Sequence, residues 1–153
     1  MKNSKSKNAV AYVRTATKNN TLINKQLSEI KKYATKNGYK ISKEYIDSGY
    51  SGNESNRPAI VELLKDSKSD AHKAVLIFDF SRIARNPIIY NMIKTDFQKN
   101  GVKIISITDS DNSPSLFMDD MFASQHSRLL SKSIKAGIAR KKLLSNKKIC
   151  KTK

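Results

Sequence analysis

The chain has 153 residues, with 30 Lys+Arg against 13 Asp+Glu and a formal net charge of +17. That length suits one domain with an appendage and can bury a core without cross-links. The single cysteine, Cys150, excludes an internal disulfide framework, and two histidines, His72 and His126, exclude a histidine-based metal site without carboxylate help. No apolar run approaches the ~18 residues of a membrane span, and the polar start MKNSKSKN has no apolar signal core behind it. A soluble, intracellular, cytoplasmic protein of a reducing compartment is expected, without a membrane partner.

Residues 8–14 (NAVAYVR) form a β-branched and aromatic run that predicts a strand. Residues 21–37 carry Leu22, Leu27, Ile30, Tyr33 and Ala34 at helical spacing and end at Asn37-Gly38, a glycine stop. Residues 40–46 alternate as a strand through Ile41 and Tyr45, and 47–57 (DSGYSGNESNR) form a loop. Pro58 suits the first turn of a helix running through Leu64. The most apolar run, 73–80 (KAVLIFDF), predicts a buried strand. Pro87 opens a helix through Lys99, stopped at Asn100-Gly101, and 102–108 (VKIISIT) predicts a last strand. The alternation of strands and helices implies an α/β fold, a mostly parallel sheet flanked by helices.

Beyond Thr108 no strand signal returns. Ser113 can cap a helix with Pro114 at its first position, and 113–145 reads as one long helix. Met118, Phe122, Leu129, Leu130, Ile134 and Ile138 lean to one side of it. About 30 helical residues span about 45 Å, and their apolar face asks for a second copy. The expected division is therefore an α/β domain over 1–112, a dimerisation helix over 113–145 and a basic tail over 146–153.

The charge is unevenly placed. Residues 1–40 hold ten Lys/Arg and one acid, 41–120 hold ten basic residues and twelve acids, and 121–153 hold ten basic residues and no acid. A localised basic stripe is the footprint of a polyanion, most often nucleic acid. The plainer reading is a lysine-rich solvated surface, since 24 lysines stand against six arginines.

In an open parallel sheet, ligands bind at the carboxyl ends of the strands near the switch in strand order. Those ends carry Arg14-Thr15-Ala16-Thr17; Asp47 with Ser51, Gly52 and Arg57; Ser81, Arg82 and Arg85; and Thr108-Asp109. Four of the six arginines lie on this rim. Guanidinium forks match phosphate oxygens, which points to a phosphate-handling site. Salt bridges to Asp47 and Asp79 are the structural alternative. The carboxylates Asp47, Asp79 and Asp109 are spread over three strands, and no Walker-type glycine loop is present. The site is read as metal-free and cofactor-free, with arginines stabilising a phosphoryl transition state.

These residues resemble the serine recombinases of the resolvase/invertase family. Tyr12-Val13-Arg14-Thr15-Ala16-Thr17 is similar to the family's Y-x-R-x-S-T. Gln26 with Ile30, Tyr33 and Ala34 resembles its first helix. Asp47-Ser48-Gly49-Tyr50-Ser51-Gly52 resembles D-x-G-x-S-G and is followed by Arg57-Pro58. Ser81-Arg82-Ile83-Ala84-Arg85-Asn86 resembles D/S-R-l-x-R-n, and Arg128 to Ser131, Lys135 and Gly137-Ile138 resemble the start of the family's long helix.

The resemblance implies a catalytic domain for site-specific DNA recombination, as in resolution, inversion, integration or transposition by mobile genetic elements. A serine hydroxyl attacks DNA, a 5′-phosphoserine link forms, and paired dimers exchange and rejoin strands without a cofactor. By position, Arg14, Arg57, Arg82 and Arg85 would bind the phosphate. Asp47 would orient an arginine or assist the leaving group, and Gln26, Ser51 and Ser81 would complete the site. Arg128, Lys132, Lys135, Arg140, Lys141 and Lys142 would follow the DNA backbone.

The nucleophile position, however, is Ala16. Strand alternation predicts that Thr15 and Thr17 point away from it. Asn20, His126 and Lys132 also depart from the family's usual residues. About ten residues follow Lys142, so DNA contact is expected through phosphates and with strong salt dependence. The expected partners are DNA and a homodimer or tetramer, or a longer active recombinase. The leading function is a recombinase catalytic domain impaired at Ala16. The alternative is a non-catalytic, dimerising DNA-binding regulator derived from one, and a more distant reading is an unrelated nucleotide-binding α/β protein.

Overall fold

In a computed structural model of the protein, the structure describes residues 7–69, 71–109, 119, 122 and 123. The chain divides into two units, Met1–Phe117 and Met118–Lys153, and the elements below belong to the first. The long helix expected over 113–145, the boundary at 112, the tail over 146–153 and the six basic positions from Arg128 to Lys142 lie outside the described residues. Positions 119, 122 and 123, which are helical, are the exception.

Strand β1 spans Lys7–Thr15, α1 Asn20–Lys36, β2 Tyr39–Ser48, α2 Pro58–Asp66, β3 Ala74–Ile77, α3 Pro87–Lys99 and β4 Lys103–Ser106. The four strands pair in parallel in the order β2-β1-β3-β4, the expected α/β class. Local chemistry sets the helix ends. The side chain of Asn19 accepts from the Leu22 N–H, and that of Asn86 accepts from the Ile88 N–H at 2.9 Å. Pro58 and Pro87 begin α2 and α3, where a missing N–H costs nothing. Gly38 (φ 72°) follows the end of α1 in the left-handed conformation that a glycine adopts freely.

The strands end differently from the expectation: β1 runs one residue on to Thr15, and β4 stops at Ser106, two residues short of Thr108. β3 stops at Ile77, and the apolar run continues into a single 3₁₀ turn over Phe80–Arg82. Phe80 stays buried because its ring meets Tyr90 edge-on at 6.0 Å, so apolarity outlasts strand pairing. β2 is longer than expected and reaches Ser48.

Helix α1 covers one face of the sheet. Ile23, Leu27, Ile30 and Ala34 pack there on Ala9, Ala11, Val13 and Leu76, where the alanines let the helix approach. Alternation sends Val10, Tyr12 and Arg14 to the opposite face, toward α2 and α3. A bulge decides what β2 sends to each face. Ala9 pairs with Ile41 but Ala11 pairs with Glu44, so Ser42 and Lys43 together oppose Val10. Ile41 thus packs with the α1 cluster, while Tyr45 and Asp47 turn to the α2 side. Without the extra residue, Asp47 would share the face of Ile41. Lys43 Nζ then reaches Glu62 at 2.7 Å and Asp66 at 2.8 Å, and Tyr45 Oη donates to Asp66 at 2.5 Å, tying the edge strand to α2. Among the described residues, no helix is long and apolar enough to cross a membrane.

His72, before β3, is 3% exposed, and its Nε2 meets no hydrogen-bond partner among the described residues. Burial pushes its pKa below the usual 6.5, against the pull of the Asp66 carboxylate. The unfolded chain therefore takes up this proton first, so the contribution is intact above pH 6.5 and is lost as pH falls below it. The urea midpoint should drop between pH 7.5 and pH 5.5, and His72→Gln should flatten that slope. An unchanged slope in the variant would refute the assignment.

Candidate active site

The sheet order reverses between β1 and β3, and a cleft of about 370 Å³ opens at their carboxyl ends. The end of β1 contributes Thr15, Ala16 and Thr17. The first turns of α1 contribute Leu22, Lys25 and Gln26, and the segment after β3 contributes Phe78, Arg82 and Arg85. Ala16, Gln26, Arg82 and Arg85 are thus brought together as the sequence suggests. Thr15 and Thr17 both line the same cleft as Ala16, contrary to the alternation argument, because β1 ends at Thr15 and the chain bends at residues 16 and 17. Lys25 was not singled out by sequence. Its available signal is its place beside Gln26 in the helix that follows the switch.

Arg14 and Arg57 lie behind the cleft, fully buried. Arg14 donates through Nε to the Arg82 carbonyl at 3.2 Å, through Nη1 to Tyr50 at 2.8 Å and through Nη2 to Ser81 at 3.0 Å. Arg57, at the N-terminal boundary of α2, donates through Nη1 to the Arg82 carbonyl at 3.2 Å and through Nη2 to that of Ile83. Its guanidinium also stacks over the Tyr12 ring at 5.9 Å. Burial, then the charges of Arg82 and Arg57, pull the Arg14 pKa down to about 10, which leaves it protonated at neutral pH. Both arginines, expected to reach the phosphate, spend these donors on the backbone of residues 50 and 81–83.

Arg82 closes the arrangement from the cleft side. Its Nη1 donates to the Arg14 carbonyl at 3.1 Å, reciprocating the bond from Arg14. Its Nε pairs with Asp79 at 3.2 Å, and its Nη2 donates to Ser81 Oγ, whose own proton goes to Asp79. The salt-bridge alternative therefore holds at Asp79. Asp47 does something else: it is buried and accepts from the backbone N–H of Ala59 at 2.9 Å and of Ile60 at 3.2 Å, and from Tyr12 Oη at 2.9 Å. It anchors the first turn of α2, where a carboxylate is favoured by the helix dipole. Burial, reinforced by Asp47, holds the Tyr12 phenol far above its ordinary range.

The loop after β2 is pinned at both ends. Gly49 (φ 83°) and Tyr50 donate N–H bonds to the Thr15 carbonyl at 2.8 and 3.1 Å. The Arg85 N–H donates to the Gly52 carbonyl at 2.9 Å. Ser51 Oγ accepts from the Asn53 N–H and shapes this loop without lining the cleft. Asp109 accepts from Ser106 Oγ at 2.6 Å at the end of β4 and is not part of the cleft. Gln26 Nε2 donates to the Arg14 carbonyl at 3.4 Å, while Gln26 Oε1 and Thr15 Oγ1 are buried without partners. Among the described residues, no group of three or more His, Cys, Asp or Glu is placed to hold a metal ion.

A family profile described as "Resolvase, N terminal domain" matches residues 9–144. Several solved structures are similar. The N-terminal catalytic domain of TP901-1 integrase is 28% identical, with a TM-score of 0.64 over 82% of this chain and 99% of that one. A resolvase family site-specific recombinase from Streptococcus pneumoniae is 25% identical, with a TM-score of 0.63 over 88% and 97%. The C-terminal catalytic domain of ISC1926 TnpA, an IS607-like serine recombinase, is 25% identical, with a TM-score of 0.62 over 76% and 78%. No curated protein matches the chain.

Asp47→Ala would strand two backbone N–H groups and the Tyr12 hydroxyl, and should cost about 3 kcal/mol. Tyr12→Phe removes one of those bonds and should cost about 1 kcal/mol. Equal losses in urea denaturation would contradict the helix-anchoring role. A Cβ on Gly52 would sit 2.8 Å from Arg85 Cγ and 3.0 Å from Arg14 Nη2. Gly52→Ala should therefore destabilise by about 1–3 kcal/mol, and wild-type stability in that variant would contradict the packing.

Proposed function

Because the chain belongs to the resolvase N-terminal domain family and has its serine-recombinase catalytic fold, we propose that it acts on DNA through the cleft at the β1–β3 switch, with the covalent step lost at Ala16. The observation that carries this reading is the cleft itself, which joins Arg82, Arg85 and Lys25 around a wall formed by Ala16. Arg85 engages the non-bridging oxygens of a backbone phosphate as a forked donor, and Arg82, whose nitrogens each already donate within the protein, adds positive charge beside it. Arg14 and Arg57 are positioning residues that fix the carbonyls of residues 81–83 and add positive potential from behind.

A methyl group at residue 16 cannot attack phosphorus. In the family reaction the serine oxygen bonds to phosphorus, the 3′ oxygen departs with a proton, and the 5′-phosphoserine link keeps the bond energy for rejoining. In this chain the cleft binds and polarises without that step. Thr17 supplies the neighbouring hydroxyl, but productive attack tolerates little misplacement: ~1 Å can cost about 100-fold.

The segment 113–145 would dimerise and lie along DNA, with Arg128, Lys132, Lys135, Arg140, Lys141 and Lys142 neutralising phosphates. Binding should then weaken steeply with salt. Ala16 also favours a second reading, a regulator that binds DNA and pairs with a longer, active recombinase without cutting.

The test is a covalent-adduct assay on DNA from the flanks of the coding locus, with the chain as it stands beside Ala16→Ser. An adduct only in Ala16→Ser is expected and marks a site silenced at one side chain. An adduct with the chain as it stands would overturn the loss of catalysis and direct mapping to Thr17. In the Ala16→Ser background, Arg82→Ala and Arg85→Ala should each lower adduct yield about 100-fold and DNA affinity less than tenfold. Abolished binding with unchanged cleavage per complex would contradict the site.

A further inference from the structure

We propose that the cleft takes a phosphate monoester, the 5′-phosphate at a DNA nick facing a 3′-hydroxyl, in preference to an intact phosphodiester, with Lys25 as its third cation. This rests on the DNA-directed reading above and names the ligand of that site.

Charge is the first argument. Three cationic side chains line one cleft, and among the described residues only Arg82 has a carboxylate partner there, Asp79. Lys25 and Arg85 form no ion pair within the described residues. An internal diester offers one negative charge and two free oxygens. A terminal phosphate near neutral pH carries about −1.5 to −2 and three acceptor oxygens. The first turn of α1, which enters the cleft at Leu22, holds no acid to oppose it.

Hydrogen bonding is the second argument, and it is independent of charge. Gln26 and Thr15 are 8% and 3% exposed, line the cleft, and have Oε1 and Oγ1 without partners. The bond from Gln26 Nε2 to the Arg14 carbonyl leaves Oε1 as the unpaired end of the amide, so the residues lining the cleft hold a buried acceptor in need of a donor. A diester has no proton to give it, whereas the 3′-hydroxyl at a nick does. Buried acceptors left unpaired are costly, so a ligand with a donor there gains over one without. Ala16 removes the hydroxyl that would otherwise occupy the same wall. Leu22, 47% exposed at the rim, offers the sugar an apolar contact.

The experiment is fluorescence polarisation with three duplexes of one sequence: intact, nicked with a 5′-hydroxyl, and nicked with a 5′-phosphate. The phosphorylated nick should bind about tenfold more tightly than the intact duplex. The 5′-hydroxyl nick should gain less than about threefold, from the single neutral hydrogen bond. Lys25→Ala, on the exposed surface of α1, should reduce the phosphate-dependent preference to about twofold, the loss of one charge-assisted contact. Millimolar inorganic phosphate should erase the preference while weakening binding to the intact duplex less than tenfold, which separates a captured monoester from general attraction to DNA. Equal binding to all three duplexes, or a preference unchanged in Lys25→Ala, would overturn this inference and leave DNA binding standing. No binding to any duplex would overturn both.

Discussion

Two buried guanidiniums organise the site. Arg14 and Arg57 converge on the backbone carbonyls of residues 81–83, and a third bond ties Arg14 to Tyr50. Burying like charges together is expensive unless dipoles and hydrogen bonds surround them. Here the carbonyl oxygens supply those dipoles, and the lowered pKa of Arg14 registers the remaining strain of desolvation and repulsion. The consequence is directional. The turn after β3 has little regular structure of its own, so its course is set by the donors it satisfies. That course places Arg82 and Arg85 at the cleft.

The position of Arg57 depends in turn on an irregularity in the preceding strand, β2. The bulge opposite Val10 rotates the second half of β2, so that Asp47 meets α2 instead of α1. Asp47 then holds the N–H groups of the first turn of α2, and Arg57 stands at that helix boundary. A shift of register in an edge strand thus fixes where a guanidinium enters the core. Edge strands tolerate bulges because one side has no partner to lose. The Lys43 pairs to Glu62 and Asp66 sit at the bulge and are exposed, so they contribute modestly to stability.

The sequence carried the fold well because its punctuation is chemical. Asn19, Asn86, Pro58, Pro87 and Gly38 mark helix limits through caps, fixed φ and a left-handed turn. The run 73–80 misplaced the end of β3, since Phe80 is buried by an aromatic contact and not by strand pairing. The bulge was invisible: Ser42-Lys43 is an ordinary polar pair, and Ile41 and Tyr45 are compatible with a straight strand. At the site, motifs identified the arginines but not their division of labour. Arg14 and Arg57 look like Arg82 and Arg85 in a sequence, and burial alone separates the enclosed pair from the pair that lines the cleft. Thr17 was misassigned because alternation was extended one residue past the strand.

The hydrogen bonds that build the cleft do not use the side chain of residue 16. Arg14, Arg57 and Arg82 are held by carbonyls, by Asp79 and by each other, and Gln26 is held by the Arg14 carbonyl. The charge arrangement is therefore independent of which side chain stands at position 16, since no part of it leans on that residue. Buried like charges are a standing cost to the fold. That cost is met by the backbone carbonyls of residues 50 and 81–83 and by Asp79, so the fold itself holds these guanidiniums in place.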